Sequence, residues 1–472
     1  MLKLMRWAIA LLAIFFCQTT GFAQLKKVVT YHDTLNAKVK EVYFMLPTDT
    51  VPHGKYQRFY RSGKLEGVGK FVRGKRDSTY TEYFENGQTK LIINYADNKK
   101  QGPFKSYYAN GKLLQEGTYQ NDQQTSTFKT YHENGQPKTE ATFVNGVPEG
   151  VVKEYYPDGT LKSAITYARS QQNGTALTYF PNGKPHTEAN YKNGVPDGMY
   201  KIFYDNGQLE SEAQNIDGKR TGSFKSYYRS GKLKSEINYK SVTIAKPKEQ
   251  ARASTSIVTG RDVFQSKNTT SQIDGLAKTY YENGQIMSSI NYKEGVKEGL
   301  TQHFYETGKL KQEIRYSDNG TTQKITSFYP SGNVKEEQNL KQNAKSGDWK
   351  TYYDAPKKIK IKETYEINKL EGDRLVYFED GQVQEKSPYT KGKINGVQLQ
   401  YYPSGKVKSE TEFKVGLRQG AFKQYFEDGK PEITGIYKNN KQSGIWKYFD
   451  ASGKTIKSVT YRNGQVVSDA GA

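Results

Sequence analysis

Turn-forming glycines recur every 24 residues along most of this chain. Gly63, Gly87, Gly111, Gly135, Gly159, Gly183, Gly207 and Gly231 form one unbroken series. The phase resumes at Gly284, Gly308 and Gly332, and again at Gly381, Gly405, Gly429 and Gly453. An aromatic pair precedes the glycine, as in Tyr83-Phe84-Glu85-Asn86-Gly87-Gln88 and Tyr107-Tyr108-Ala109-Asn110-Gly111-Lys112. A fixed period of this length specifies an array of small structural units, each burying apolar surface on its neighbours. Such stacking explains how 472 residues of which only 34% are apolar can fold. The 38 tyrosines and 21 phenylalanines argue against disorder, because disordered chains are poor in aromatics.

Within one period the residues read as a β-hairpin. Asn110-Gly111 predicts a two-residue type I′ turn, since both positions tolerate positive φ. That turn would place Tyr108 opposite Leu113, Lys105 opposite Glu116 and Phe104 opposite Gly117. Period-two alternation then assigns Phe104, Tyr108, Leu113 and Tyr119 to a buried face and Lys105, Tyr107, Leu114 and Glu116 to the other. The same register predicts the cross-strand pairs Lys129–Glu140, Lys201–Glu212 and Lys225–Glu236. Further glycines four residues apart, such as Gly146 and Gly150 or Gly194 and Gly198, mark the connection into the next hairpin. The predicted fold class is all-β: an elongated antiparallel array of about 16 hairpins of 24 residues, forming a single twisted sheet roughly 150 Å long.

Departures from the period set the domain boundaries. Residues 1–23 are expected to be a signal peptide, 24–50 an N-terminal cap or degenerate repeat, and 51–240 a first array. Residues 241–275, rich in Ser, Thr, Lys and Gln, read as an irregular linker that can still contain one degenerate repeat. A second array spans 276–467 and a short polar tail 468–472. At Asp354-Ala355-Pro356 an Ala-Pro replaces the turn glycine.

The signal peptide rests on basic Lys3 and Arg6, the apolar run Trp7 to Phe16, and a small-residue site at Gly21-Phe22-Ala23 that suggests cleavage before Gln24. The one cysteine, Cys17, falls inside it, so the mature chain is expected to have no thiol, disulfide or cysteine metal site. Export to the periplasm, outer membrane or exterior follows. The net charge is +22, and +20 without Lys3 and Arg6. A basic exported surface suits an anionic lipid or polysaccharide, or a protein partner, while export argues against nucleic acid.

The string aromatic-aromatic-x-Asn-Gly-Lys/Gln, followed by Glu, Tyr and Lys-Asn-Gly as in Tyr191-Lys192-Asn193-Gly194, resembles the bacterial variant of the MORN repeat over about residues 51–467. The resemblance implies hairpin sheets used in lipid association and protein scaffolding, and includes proteins labelled antitoxin components. Export argues against an antitoxin-like immunity role. A weaker resemblance links Tyr-Tyr before Asn-Gly to choline- and glucan-binding wall repeats. Those use Gly-Trp cages, whereas here only Trp349 and Trp446 lie beyond the leader.

Signs of catalysis are few. The five histidines, His32, His53, His132, His186 and His303, show no metal-ligand spacing. Glu116, Glu140, Glu188, Glu212 and Glu236 fill one repeat position, whereas a catalytic pair should be unique. A non-enzymatic scaffold without cofactors is expected, with a carbohydrate- or wall-binding module as the alternative. The candidate interaction ladder is one tyrosine per hairpin on the face opposite the core: Tyr83, Tyr107, Tyr131, Tyr155, Tyr179, Tyr227, Tyr280, Tyr352, Tyr377, Tyr401 and Tyr425. These rings either cover the sheet or offer amphipathic surfaces to sugars, headgroups or an extended partner. Nothing in the sequence specifies an oligomeric state.

Overall fold

The computed structural model describes residues 24–35, 37–243 and 269–471. The expected signal peptide and residues 244–268 of the expected linker lie outside them. The chain divides into two parts, Met1–Lys184 and Pro185–Ala472. Each is an antiparallel meander in which sequential strands pair, and no helix occurs among the described residues.

The N-terminal part begins with the hairpin Lys26–Tyr31 and Val39–Met45, where a cap or a degenerate repeat was expected, and pairs strand by strand up to Gln171–Tyr179. Its repeating element is clear in Lys99–Tyr107 and Leu113–Gln120. Phe104 faces Gly117 and Lys105 faces Glu116, as the sequence predicts. The turn differs from the expectation. Tyr108 N–H donates to the Lys112 carbonyl and Gly111 N–H to the Tyr108 carbonyl. Gly111 has φ 82° while Asn110 stays at negative φ. This is a three-residue Ala109-Asn110-Gly111 loop built on a type I turn and a glycine bulge. The Asn110 side chain is otherwise occupied, its Oδ1 accepting from Lys112 N–H at 3.0 Å.

The extra loop residue moves the register near the turn, so Tyr107 rather than Tyr108 faces Leu113. The shift falls between Ser106 and Tyr107 and leaves Leu114 as the unpaired residue of a bulge. Leu114 therefore lies beside Tyr108, Ser106 and Gln115 on the core face, and Leu113 joins Tyr107 on the other. The assignments of Leu113 and Leu114 expected from strict alternation are exchanged. True type I′ turns occur at the opposite ends of the strands, as at Asp97-Asn98, with φ 52° and 70°.

Where the core is aromatic, a large ring from one hairpin stacks on the ring of the next across a glycine of the intervening strand, and elsewhere the row is aliphatic, as at Ile314 and Ile325. Phe104 and Phe128 stack at 6.1 Å and 27° with Gly117 between them. The aromatic two residues beyond that glycine closes the layer, as Tyr119 does against Phe104 at 4.8 Å. Phe104 is 3% exposed although the sheet is a single layer here. Rings of 150–250 Å² are large enough to bury each other along a row.

The C-terminal part runs from Pro185–Lys192 to Gln465–Gly471. Phe422 and Trp446 stack at 5.3 Å and 25° across Gly435, and Tyr437 meets Trp446 edge-on at 5.1 Å. Strand pairing extends into both segments expected to be irregular. Leu233–Thr243 and Thr269–Tyr280 pair as far as Thr243↔Thr269 because backbone hydrogen bonding needs no apolar pattern. Gln465–Gly471, expected in part as a tail, pairs with Thr455–Arg462 although its side chains are exposed throughout.

Neighbouring hairpins in each part are joined by the second aromatic of the pair. Its hydroxyl donates to the backbone carbonyl of the first aromatic in the next hairpin. Tyr60 reaches Tyr83 at 2.7 Å, Tyr108 reaches Tyr131 at 2.8 Å and Tyr156 reaches Tyr179 at 2.9 Å. The C-terminal part repeats this from Tyr204 to Tyr227, Tyr281 to Phe304, Tyr305 to Phe328, Tyr329 to Tyr352 and Tyr402 to Tyr425, at 2.8–2.9 Å. His132 substitutes for tyrosine, its Nε2–H lying 3.0 Å from the Tyr155 carbonyl, which is a packing role rather than a ligand role. Turn asparagines and lysines add bonds between the same loops, such as Asn86 Nδ2 to Ala109 O at 2.9 Å and Lys112 Nζ to Asn134 O at 2.9 Å.

Two predictions follow the packing. A Cβ on Gly435 would lie 2.2 Å from Trp446 Cδ2, so Gly435→Ala should cost about 1–3 kcal/mol, read as a lowered denaturation midpoint. In a Trp446→Leu background the same Gly435→Ala change should cost less, because the ring it meets is gone. Tyr329→Phe removes one inter-hairpin bond worth about 1 kcal/mol. Hydrogen exchange should then accelerate around the Tyr352–Lys358 turn while hairpins several repeats away keep their protection.

Candidate interaction surface

All eleven tyrosines of the predicted ladder occupy the last position of a strand, where the pleat turns them to the face carrying the Lys–Glu pairs. Tyr83, Tyr107, Tyr131, Tyr155 and Tyr179 lie in the N-terminal part, and Tyr227, Tyr280, Tyr352, Tyr377, Tyr401 and Tyr425 in the C-terminal part. They do not stand out from the surface. Ten are half-buried and Tyr352 is only 9% exposed. Four hydroxyls are bound to a glutamate of the preceding hairpin: Tyr131 to Glu116 at 2.7 Å, Tyr227 to Glu212 at 2.8 Å, Tyr352 to Glu337 at 2.9 Å and Tyr425 to Glu410 at 3.2 Å. Burial first, and then the adjacent glutamate, pushes the Tyr131, Tyr227 and Tyr352 hydroxyls up to about 12. They remain protonated donors at neutral pH, locked to carboxylates.

The glutamates bind lysines as well. Lys105–Glu116, Lys129–Glu140 and Lys225–Glu236 close to 3.5, 3.0 and 3.7 Å. Lys201 faces both Glu188 and Glu212, and its ion pair forms with Glu188 at 3.7 Å instead of the expected Glu212. Being partly exposed, each such pair contributes little singly. Repetition makes this face a charge-balanced lattice with tyrosine edges between the ion pairs.

The core face has a different character at its turn end. In the C-terminal part a lysine sits over the ring of the second aromatic: Lys234 over Tyr228, Lys311 over Tyr305, Lys335 over Tyr329, Lys360 over Tyr353 and Lys408 over Tyr402, at 5.4–5.8 Å from the ring centre. Between Tyr281 and Lys335 these side chains enclose a groove of about 470 Å³. Its floor carries His303, Gln312 and Ser327, with Gln312 Nε2–H donating to Ser327 Oγ at 3.2 Å. Burial, with help from Lys297 and Lys311, holds the His303 pKa below its usual value, so the imidazole adds no charge to the floor at neutral pH. Reading the second aromatic as a simple core residue missed this row. Its sequence signal is a lysine six residues after the second tyrosine, or seven where the loop contains Pro356.

A second departure is chemical. Between Trp349 and Phe422 the ring row gives way to a polar network. Arg374 Nε contacts Glu363 at 3.0 Å and its Nη1 contacts Glu385 at 3.3 Å. Ser387, fully buried, donates to Glu385 at 2.8 Å and accepts from Gln398 at 2.9 Å. Tyr365 donates to Glu363 at 2.9 Å. Every charged member has a partner, so the network replaces ring packing with ion pairing. Among the described residues no three His, Cys, Asp or Glu side chains group as a metal site would require.

The pattern of the MORN repeat variant matches residues 52–72, 76–97, 100–121, 124–145, 148–168, 172–193, 196–214, 220–241, 273–294, 297–318, 324–342, 370–391, 394–414, 418–439 and 442–463. The gap from 343 to 369 contains the hairpin in which Ala355-Pro356 replaces the glycine. No curated protein matches the chain. Among solved structures, a crystal structure of TcdB2-TccC3 without its hypervariable C-terminal region aligns with 94% of this chain at 11% identity and a TM-score of 0.12. This chain spans 30% of that chain's length, and so poor a superposition carries no argument about fold or function. The repeats themselves cover well over half of the sequence in matching register, and the chain belongs to the MORN repeat variant family.

Proposed function

We propose that this protein is an exported, non-enzymatic scaffold of the cell envelope that holds an extended partner through contacts spread over many hairpins. The partner is a protein or an anionic envelope surface of lipid or polysaccharide. One observation carries the reading: the side chains suited to contact recur at one position per hairpin, and among the described residues no hairpin gathers them into a unique cluster. The ladder tyrosines act in this reading as half-buried ridges whose edges meet the partner. Four of their hydroxyls are tied to glutamates, which preorganises those side chains and limits the freedom lost on contact. Export is supported by the leader-like composition of residues 1–23.

The reading is tested by comparing single and multiple losses in intact cells. Tyr227→Ala, Tyr280→Ala, Tyr377→Ala, Tyr401→Ala or Tyr425→Ala alone should change retention on the envelope fraction less than about twofold, given that rim contacts are individually weak. Removing three consecutive hairpins, residues 275–346, should abolish retention, and mass spectrometry of the retained protein should find Gln24 at its N-terminus. A single tyrosine change that eliminates retention would show a localised site and overturn the distributed one.

A further inference from the structure

Lysines at equivalent positions of the core face differ in their surroundings. In the N-terminal part Lys90 is 3.8 Å from Glu82 and Lys162 is 3.3 Å from Glu154, so their charges are balanced locally. In the C-terminal part Lys311, Lys335 and Lys360 come from three consecutive hairpins and are exposed. Among the described residues none of the three has a carboxylate within ion-pair distance. Each is placed over a tyrosine ring, 5.7 Å for Tyr305, 5.8 Å for Tyr329 and 5.4 Å for Tyr353. Those rings are themselves fixed by hydroxyl bonds to the carbonyls of Phe328, Tyr352 and Tyr377 at 2.8, 2.9 and 2.8 Å. A chain of fixed bonds thus runs from backbone to ring to ammonium, and the three cations stand as a row with a set period. Equivalent positions on successive hairpins are two strands apart, roughly 10 Å.

We infer that the Tyr305–Lys311, Tyr329–Lys335 and Tyr353–Lys360 pairs form a binding groove for a linear acidic polysaccharide carrying one carboxylate per disaccharide. The inference rests on the proposed scaffold reading, selects the polymer among its partners, and adds to the tyrosine-ladder face a second contact surface on the core face. A spacing of two strands is close to the length of two linked sugars, so successive carboxylates meet successive ammonium groups without either chain bending. The groove floor of His303, Gln312 and Ser327 offers neutral donors and acceptors, which suits sugar hydroxyls. Tyr281 and Tyr305 supply flat apolar walls for the sugar rings, and Tyr329 and Tyr353 continue the row of rings beyond the groove. A bilayer would call for a protruding cationic and apolar surface, whereas these polar groups are recessed. Glu336 lies on the same floor between Ser327 and Thr351 and opposes an anionic ligand.

The full-length mature chain should be tested for binding to a hyaluronan octasaccharide, whose carboxylates alternate with uncharged sugars, at low and at physiological salt. Binding should weaken as salt rises and fall at least tenfold for its carboxyl-methylated form. Lys311→Gln/Lys335→Gln/Lys360→Gln should reduce affinity at least tenfold. Glu336→Gln should increase it. The control Lys225→Gln/Lys350→Gln/Lys423→Gln removes the same charge from lysines paired with Glu236, Glu337 and Glu410 on the opposite face, and should change affinity less than twofold. Circular dichroism of each variant establishes that the sheet is retained, and Lys→Arg at the three groove positions should preserve binding. Equal losses in both triple variants, or equal affinity for the methylated sugar, would reduce the effect to net charge and overturn the inference. So would tighter, groove-dependent binding to phosphatidylglycerol vesicles or to polyglutamate, which would assign the row to a membrane or an acidic peptide. If sugar binding fails while the hairpin deletion still abolishes envelope retention, only the groove assignment falls.

Discussion

A single hairpin of this sequence cannot be stable alone, and what makes it part of a structure is the contact it makes with the next one. The hydrogen bond from the second aromatic of each pair to the next hairpin's carbonyl is the most regular of those contacts. It falls where the strand ladder has been broken by the bulge, at a carbonyl that would otherwise face outward at a strand end. A long, rigid, donor-bearing side chain is needed to reach it. Tyrosine and histidine meet that need, and lysine is more flexible and would lose more rotamer freedom. Phe84, Phe180, Phe378 and Phe426 keep the ring without the donor, so hydrogen bonding at this position is frequent but dispensable in a given hairpin. Asp450 in the last matched hairpin instead folds onto its own turn, accepting from Ser452 N–H and Lys454 N–H at 2.9 and 3.0 Å.

The bulge beside each turn has consequences beyond geometry. By adding one residue it changes which side chains share a face, which brings the residue six positions after the second aromatic over that aromatic's ring. Where the residue is Lys311 or Lys335, the ring carries a cation. Where it is Leu114, Lys90 or Met287 in other hairpins, the same pocket becomes apolar, internally neutralised or uncharged. One backbone device thus creates a variable position on a constant frame. Sequence differences there change the chemistry of the face without disturbing the packing that holds the array together.

Much of the architecture was legible because it depends on period. The 24-residue spacing, the hairpin class and the pairing of Lys105 with Glu116 and Phe104 with Gly117 all follow from residues recurring at fixed offsets. The turn type was not legible from its two central residues. Asn193-Gly194 forms a type I′ turn with φ 51° and 79°, while Asn110-Gly111 ends a three-residue loop. The dipeptide is the same, and the difference lies in whether the preceding residue, Ala109 or Lys192, belongs to the loop or to the strand. That choice is made by the pairing of neighbouring strands, which no local window contains. The tyrosine ladder illustrates a similar limit. Alternation placed Tyr131 and Tyr227 on the correct face, but their engagement with Glu116 and Glu212 depends on the adjacent hairpin standing one repeat away.

The polar network around Arg374 shows how far the frame can be changed. Where rings form the row, a large ring packs beside a small residue, as Phe104 does beside Gly117. At Arg374 the partners are Glu363, Glu385 and Ser387, and the guanidinium bridges carboxylates on the strands to either side. Arginine suits the exchange because its planar fork can donate to two carboxylates at once, and its long stem fills the volume of a ring. The substitution is therefore conservative in shape and radical in chemistry. Ion pairing is weaker than ring burial when partly hydrated, so neighbour coupling should be lowest between Trp349 and Phe422. In a quasi-one-dimensional array a weak junction concentrates opening at one place, because strain cannot be shared beyond adjacent hairpins. The lysine row at Lys311, Lys335 and Lys360 ends at this junction, so the variable chemistry of the face and the local strength of the array change within the same few hairpins.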